Sequence, residues 1–277
     1  MTSQGHTQEY AWLAPYGLAL VVLWVFYVLF RLYETWYANK THRLLYRDLW
    51  VFRSLSRKQR KYLQSNFEFY NKLSSQERRR YEHRVVTFVG SKKFIGRDGL
   101  IVTEEMKLLI AAVGCMLTFG RKHYLYALVE NILLYPAAFY SAINDEYHKG
   151  EFNPSQRTLV LSWEDFEKGY RITDDNLNLG IHEFMHALQL DAVRSEDVDA
   201  IRFERQFQKI LVRLTDQDLK DKLDEVKYFR AYAFTNQYEF MAVLAEYFFE
   251  SPNDFKTHFP ILYERMRRML NYDLAGY

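Results

Sequence analysis

The 277-residue sequence has few of the residues that define disulfide-rich, flexible or nucleic-acid-binding proteins. Its single cysteine, Cys115, excludes a disulfide framework within the chain and falls in an apolar helical run, where we expect a buried thiol. With 11 glycines, 5 prolines and no repeat, the sequence predicts no long flexible linker. The net charge of +2 gives no reason to expect nucleic-acid binding. The 49% of hydrophobic residues suffices for one sizeable core.

Charged residues are absent from residues 10–30, which read YAWLAPYGLALVVLWVFYVLF. At 1.5 Å per residue this run spans roughly 30 Å, the thickness of a bilayer hydrocarbon core. A cleaved signal peptide would begin with basic residues, but residues 1–9 contain no Lys or Arg. A buried core helix would not stay apolar on every face for this length. We therefore predict one transmembrane helix, over about residues 10–32.

The flanks of this run predict its orientation. Residues 31–61 contain nine Lys or Arg and only two acidic residues, whereas acidic residues outnumber basic ones in the rest of the chain. Because basic flanks stay on the cytoplasmic side, we expect the N-terminus outside and the body of the protein in the cytoplasm. The lipid bilayer is thus a predicted partner, and the basic segment should also contact anionic lipid.

Capping patterns predict helices in the remainder of the chain. Ser56 precedes one helix over residues 56–73, and Ser74 begins a capping box before the next. Thr103 precedes an apolar helix that should end at Gly120 and form the centre of the core.

Two short strands and three further helices complete the predicted elements. NILLYPAAFY contains a proline, which predicts an edge strand or a bend, and RTLVLSW is the second strand. Helices are expected in DNLNLGIHEFMHALQLD, SEDVDAIRFERQFQKILVRL and YEFMAVLAEYFFE. The fold class is α+β, mainly helical with a small β-sheet. We divide the chain into an N-terminal tail and transmembrane helix (1–36), a basic connector (37–54) and one domain (55–277).

The chemistry-bearing motif is HEFMH, residues 182–186, on a predicted helix. His182 and His186 are four residues apart and lie on one helix face, so both imidazoles can reach one Zn²⁺ ion. Glu183 can accept a proton from the water that such an ion activates. Histidines with a structural role are the alternative, but the motif lies in apolar sequence, where polar side chains need a partner.

A catalytic zinc needs a third protein ligand and an open position. The HExxHxxGxxH pattern is absent, because Ala192 stands six residues after His186. Three glutamates remain: Glu204 lies close to the spacing of thermolysin-like enzymes, and Glu239 and Glu246 share one face of a later helix. Spacing alone leaves all three open.

Several segments together resemble the Mlc titration factor A (MtfA) family of zinc peptidases. They are, in order, VTEEMKLLIAAVGCML, ILLYPAAFY, VLSWEDFEKGY, NLGIHEFMHAL and AFTNQYEFMAVLAEYFFESP, and they span about residues 56–270. The family is gluzincin-like and similar to the catalytic domain of anthrax lethal factor. The resemblance implies a zincin-like metallopeptidase domain with one zinc ion.

The resemblance also assigns roles to particular residues. His182 and His186 would be zinc ligands, Glu183 the general base, and Glu239, within TNQYEF, the third ligand. Tyr232 would match the tyrosine that stabilises the oxyanion, although by residue type alone it would be taken for a core aromatic.

Two features depart from the family. Gln189 stands where members often have an aspartate, and the apolar N-terminal run is not part of the best-known soluble members. Family members also bind a transcriptional repressor, which makes a regulatory protein an implied partner.

Two functions therefore compete. The first is hydrolysis of a peptide or protein substrate by zinc-activated water. The second is a regulatory binding protein that sequesters a partner and keeps zinc only as a structural element. A structural zinc site would more often use four protein ligands, commonly thiolates, and a single cysteine excludes that version. The motif therefore favours the enzyme.

Overall fold

The computed structural model describes residues 13–41, 53–141, 145–172, 174–195, 197–272 and 274. The chain divides into two compact units, Met1–Tyr46 and Arg47–Tyr277. In the first unit, helix α1 covers Ala14–Thr41, so it continues beyond the predicted end of the span at residue 32. Its segment Ala14–Tyr33 is long and apolar enough to cross a membrane. The predicted start of the span at residue 10, and residues 42–52 of the predicted connector, lie outside the described residues.

The second unit is mainly helical with a small sheet, as the sequence predicted. Its helices are α2 (Arg57–Asn66), α3 (Glu68–Lys72), α4 (Ser75–Ser91), α5 (Glu104–Leu117), α6 (Trp163–Arg171), α7 (Leu179–Arg194), α8 (Val198–Arg213), α9 (Gln217–Val226), α10 (Gln237–Glu250), α11 (Pro252–His258) and α12 (Pro260–Leu270), with a 3-10 turn at Ala231–Phe234. Its strands are β1 (Lys93–Gly96), β2 (Asn131–Tyr135), β3 (Phe139–Ser141), β4 (Glu146–His148), β5 (Gly150–Asn153) and β6 (Thr158–Ser162).

Four strands form one sheet in the order β1-β2-β6-β5. The first three are parallel, with Ile132 of β2 opposite Leu159 of β6, and β5 is antiparallel to β6. Strands β3 and β4 form a separate antiparallel pair. The antiparallel β5 therefore closes one side of the main sheet as an edge strand.

The two predicted strands are present, with one correction. β2 lies between β1 and β6, so the proposed edge position for NILLYPAAFY is wrong, while the proposed bend follows β2 at Pro136. Proline is tolerated because it comes just after the last paired residue of the strand. β1, β4 and β5 were not predicted, since short strands such as β5 (GEFN) lack β-branched residues and depend on their neighbours.

The predicted caps are present at three helix starts. The side chains of Ser56, Ser74 and Thr103 each accept a hydrogen bond from the backbone amide three residues later. Two helix ends differ from prediction. Residues 56–73 form α2 and α3 rather than one helix, because Phe67 leaves the helical conformation and is buried in the core. The helix after Thr103 ends at Leu117 rather than Gly120.

Helices α5 and α7 form the centre of the core. Every residue from Leu108 to Leu117 is buried, including Cys115. α7 packs directly on α5, since a Cβ atom at Gly114 would lie only 3.1 Å from the Phe184 ring. The same ring meets Tyr126 at a centroid distance of 5.0 Å. This packing fixes the rotation of α7 about its axis and so decides which side chains face away from α5.

Candidate metal centre

The start of α7 is held by Asn178. Its side-chain oxygen accepts from the Ile181 amide at 3.0 Å, and its Nδ2 donates to the Gly169 carbonyl at 2.9 Å. One turn further on, the rings of His182 and His186 lie at a centroid distance of 4.8 Å, inclined at 84°. The four-residue spacing therefore places both imidazoles on one face, as predicted from the sequence.

Glu239 approaches this face from the first turn of α10. The cap residue Asn236 accepts from the Glu239 amide at 3.1 Å, which fixes the start of that helix. The Glu239 carboxylate lies 2.9 Å from His182 Nε2 through Oε2 and 3.4 Å from His186 Nε2 through Oε1. Donor atoms of the three side chains lie within 4.8 Å of one another.

This donor set fits one transition-metal ion. Ligands that bind zinc tetrahedrally at 2.0–2.2 Å are separated by about 3.3 Å, close to the separations of 2.9 and 3.4 Å between Glu239 and the two imidazoles. Two imidazole nitrogens and one carboxylate also suit the metals found in hydrolases. The three residues could hold a metal and leave one position for water or substrate.

The other nitrogen of His182 is held by Glu246. Nδ1 lies 2.7 Å from Glu246 Oε1, and that carboxylate is 1% exposed. Arg230 donates to both of its oxygens, at 2.7 and 2.9 Å, and the Asn178 amide donates to Oε2 at 3.1 Å. Glu246 thus accepts the Nδ1 proton and orients the imidazole so that Nε2 faces the cluster.

Glu183 packs against the edge strand. It is 6% exposed, and a Cβ atom at Gly150 of β5 would lie 2.5 Å from its Oε1. Only a residue without a side chain leaves room for this carboxylate. Burial raises the pKa of Glu183, although the imidazoles of His182 and His186 oppose that shift.

The charges of the cluster are strongly coupled. Burial lowers the pKa of His182, but its hydrogen bonds to Glu239 and Glu246 outweigh burial and raise that pKa to about 9. Burial raises the pKa of Glu239, but the hydrogen bonds from His182 and His186 hold it well below its usual value. The protonated imidazole of His182 and the ionised carboxylate of Glu239 therefore stabilise each other.

Tyr232 lies in the 3-10 turn just before α10. Its side chain is 52% exposed, and its ring lies 5.9 Å from the His182 ring. Burial and the negative charge of Glu239 raise its pKa, so the hydroxyl keeps its proton at neutral pH. An exposed phenol beside the cluster does not have the environment of a core aromatic residue.

Two other residues named from the sequence lie elsewhere. Glu204 is on α8, where it accepts from Gln208 at 2.7 Å, and it does not belong to the cluster. Gln189 is buried on α7 and donates to the Tyr238 carbonyl at 3.3 Å. It connects α7 to α10 rather than contacting the donor atoms.

Two cavities of about 440 and 450 Å³ flank the cluster. Both are lined by His148, Gly150, His182, Glu183 and Tyr232. The cluster therefore faces a cleft that extends to either side of Glu183, along the edge strand.

Sequence reasoning missed Gly150, His148 and Arg230. The first two lie on strands that were not predicted, and Arg230 contacts Glu246 across 16 residues of sequence. No local pattern marks any of the three, because each matters only through a neighbour brought close by the fold.

Comparison with known proteins agrees with the geometry. The profile of the family described as glucose-regulated metallo-peptidase M90 matches residues 36–271. An uncharacterised protein of Synechocystis is 28% identical over 222 residues, 72% of this chain and 78% of the relative. The Mlc titration factor A proteins of Serratia proteamaculans and Yersinia pestis are 26% and 29% identical, covering 70% and 73% of this chain and 81% and 80% of their own lengths. Since the profile covers well over half of the sequence, the chain belongs to the glucose-regulated metallo-peptidase M90 family, in agreement with its resemblance to MtfA.

Proposed function

We propose that this chain is a membrane-anchored zinc metallopeptidase that hydrolyses peptide bonds. One observation carries the proposal: donor atoms of His182, His186 and Glu239 converge beside the buried carboxylate of Glu183, in a cleft that extends to both sides. Family membership supports a metallopeptidase-type domain.

Zinc is the metal that suits this site best. Two histidines with one carboxylate and an open position form a donor set typical of catalytic zinc, whereas structural zinc uses four protein ligands. Among the described residues, no fourth His, Cys, Asp or Glu belongs to the cluster. A zinc ion held there would supply a Lewis acid that activates water and polarises a scissile carbonyl.

Glu183 serves as the general base. It accepts the proton of the attacking water and passes it to the leaving amine. Burial raises the pKa of the Glu183 carboxylate towards neutral pH. Such a pKa suits a group that must both accept and release a proton. Its contact with Gly150 holds the carboxylate in position.

Tyr232 and His148 both line the cleft. The Tyr232 hydroxyl can donate to the carbonyl oxygen as negative charge develops on it. The Nε2 atom of His148 has no hydrogen-bond partner within the described part of the chain, and the residue lines both cavities. We assign Tyr232 to oxyanion stabilisation.

The cleft suits an extended peptide. Among the described strands β5 pairs with β6 alone, and we propose that its other edge offers backbone donors and acceptors beside the cluster. A substrate strand can add to such an edge by main-chain hydrogen bonds, which favours a peptide or protein over a compact small molecule.

The deciding experiment compares Glu183→Gln with Glu204→Gln in the full chain. Glu183→Gln keeps side-chain size but removes the base, so metal analysis should find unchanged zinc while cleavage of a peptide library is abolished. Glu204→Gln makes the same chemical change on α8, outside the cluster, and should leave zinc and cleavage unchanged. Full cleavage by Glu183→Gln would contradict the hydrolase proposal.

The membrane anchor is a separate part of the proposal. We propose that α1 crosses the bilayer with the N-terminus outside and the metallopeptidase domain in the cytoplasm, because basic residues follow the apolar segment. A protease added to intact cells should leave residues 55–277 uncut and digest them after lysis. Digestion of this region in intact cells would refute the orientation.

A regulatory binding function is the second candidate. The relatives from Serratia proteamaculans and Yersinia pestis carry the name Mlc titration factor A, which refers to titration of Mlc. If sequestration of a partner is the function here, Glu183→Gln should retain the partner in a pull-down and retain the cellular effect of the wild type. If Glu183→Gln loses the cellular effect together with peptide cleavage, the result would instead favour the peptidase.

A further inference from the structure

The two cavities of the cleft differ in the charge of their walls. The walls of the 450 Å³ cavity contain, besides Glu183, the charged side chains of Lys149, Asp165, Lys168, Arg230 and Glu246. The walls of the 440 Å³ cavity contain, besides Glu183 and the metal cluster, only one charged side chain, that of Glu151. They include instead a group that we call the apolar pocket: Phe152, Leu190 and Tyr238.

Phe152 and Leu190 bound the apolar pocket from two different elements. Gly150 and Phe152 are two residues apart on β5, so they lie on the same face of the strand, the face where Gly150 meets Glu183 of α7. Leu190 comes seven residues after Glu183, two turns along the same face of α7. The gap between β5 and α7 therefore continues past the proposed base and has one apolar side chain from each element in its walls.

Tyr238 forms the third wall, from the first turn of α10. Its backbone carbonyl accepts from Gln189 Nε2 at 3.3 Å, which holds this turn against α7 next to Leu190. Its ring lies 6.2 Å from the ring of the buried Phe207 on α8. Packing on α8 therefore supports the Tyr238 ring, while 41% of the residue stays exposed.

The apolar surface of this pocket is left partly open to solvent. Phe152 and Leu190 are both half-buried, and Phe152 also packs against the hydrophobic core. Removal of such surface from water by a ligand is favourable, and concave sites with apolar walls and a few polar groups are typical of ligand recognition. Because Glu239 directly follows Tyr238, the pocket adjoins the proposed metal and hence the position of a scissile bond.

Glu151 offers a different kind of recognition in the same cavity. Its Oε2 accepts from the Ser141 hydroxyl at 2.6 Å, a contact that leaves its negative charge in place. Its Cβ atom lies on the opposite face of β5 from Phe152, because side chains alternate along a strand. A basic side chain of the substrate is therefore the competing occupant, and a preference for lysine would identify Glu151 as the recognition group.

We propose that the apolar pocket binds a bulky apolar side chain of the substrate, such as leucine, methionine or phenylalanine, next to the scissile bond. The proposal rests on the peptidase function proposed above and specifies its substrate class. It assigns Phe152 and Leu190 as residues that determine specificity without taking part in the reaction.

The first test is cleavage of a peptide library by the full chain in an uncharged detergent, with cut positions read by mass spectrometry. The test variant is Leu190→Lys, which places a cation in the wall of the pocket. The matched control is Val193→Lys, a comparable change on the same helix at a residue that is 64% exposed and lines neither cavity. Zinc content and melting temperature of both variants should equal those of the wild type.

The wild type should prefer leucine to alanine beside the cut bond by roughly 10–50-fold in kcat/KM, since each of three extra carbon atoms contributes a factor of about 4 when fully buried. Leu190→Lys removes one of three walls, so this preference should fall about 3-fold. The same variant should accept glutamate there about 5-fold better than the wild type, through a partly exposed ion pair. A purely structural role of Leu190 would not produce that gain, and Val193→Lys should behave like the wild type.

A second test measures binding without cleavage. Fluorescein-labelled decapeptides of glycine and serine carry one central leucine, alanine, glutamate or lysine, and fluorescence anisotropy gives their Kd for the Glu183→Gln variant. The leucine peptide should bind roughly 10–50-fold more tightly than the alanine peptide. Addition of Leu190→Lys should reduce that ratio and increase affinity for the glutamate peptide.

Three results would overturn the proposal. Equal cleavage and binding of leucine and alanine peptides would show that the pocket does not select apolar side chains. A preference for lysine would assign recognition to Glu151, and an unchanged leucine preference in Leu190→Lys would place apolar recognition elsewhere in the cleft. If the wild type cleaves no peptide, the peptidase proposal is refuted, whereas a leucine preference in the binding test would still support the apolar pocket.

Discussion

Substitution of Gly150 by alanine should separate catalysis from metal binding. The three heavy atoms nearest to the added Cβ all belong to Glu183: Oε1 at 2.5 Å, and Cδ and Cγ both at 2.7 Å. None belongs to His182, His186 or Glu239. The substitution therefore acts on the proposed base and leaves the proposed metal ligands in place.

The size of the effect follows from these distances. Ordinary contacts between such atoms are about 3.5 Å, so the carboxylate must move by roughly 1 Å. A displacement of ~1 Å in a reacting group can reduce the rate about 100-fold, which corresponds to about 2.7 kcal/mol of activation free energy. The fold should tolerate the change, because Gly150 has no positive φ and the atoms that must move belong to a flexible side chain.

The assay measures kcat, zinc content and melting temperature of the full chain. We expect kcat to fall about 100-fold while zinc and melting temperature stay at wild-type values. Gly90→Ala is the control, since a Cβ there meets only the end of the Arg53 side chain at 3.9 Å. Wild-type turnover by Gly150→Ala would show that β5 does not position Glu183, and loss of zinc would show that the strand acts on the ligands.

Four further outcomes are expected. Glu239→Ala should strip the metal in dialysis against a weak chelator, whereas Glu204→Ala should retain it; the opposite pattern would favour a thermolysin-like ligand set. Tyr232→Phe should lower kcat by roughly 10²–10³ with little change in KM or melting temperature, and unchanged kcat would refute its role at the oxyanion. Glu246→Gln should weaken metal affinity by roughly 10–100-fold, because His182 loses an anionic acceptor. Burial raises the pKa of Glu250 to about 8 from 4.5 in the unfolded chain, so unfolding free energy should fall as pH rises through that window, and Glu250→Gln should remove this slope in denaturation curves.

Helix signals were the most predictable part of the fold. Ser56, Ser74 and Thr103 cap helices as their sequence patterns indicated, because a cap depends on atoms only three residues apart. Strands were less predictable. β5 has no alternation or β-branched residue to mark it, and it exists through its pairing with β6. The break at Phe67 likewise arises because the core takes up that side chain.

The HExxH motif shows what the sequence by itself determined about the site. Placement of His182 and His186 on one face follows from the 3.6-residue period of a helix, and an apolar run of helical length needs no tertiary context to be recognised.

Residue spacing alone left three glutamates as candidates for the third ligand. Which of them lies beside the histidines depends on tertiary structure. Glu239 meets His182 across 57 positions of sequence, Glu246 turns to the opposite nitrogen, and Glu204 faces elsewhere. The proximity of Gly150 to Glu183 has the same origin. Local periodicity decides which side chains share a face of one helix, whereas contacts between elements depend on how the core packs, and no short segment of sequence contains that information.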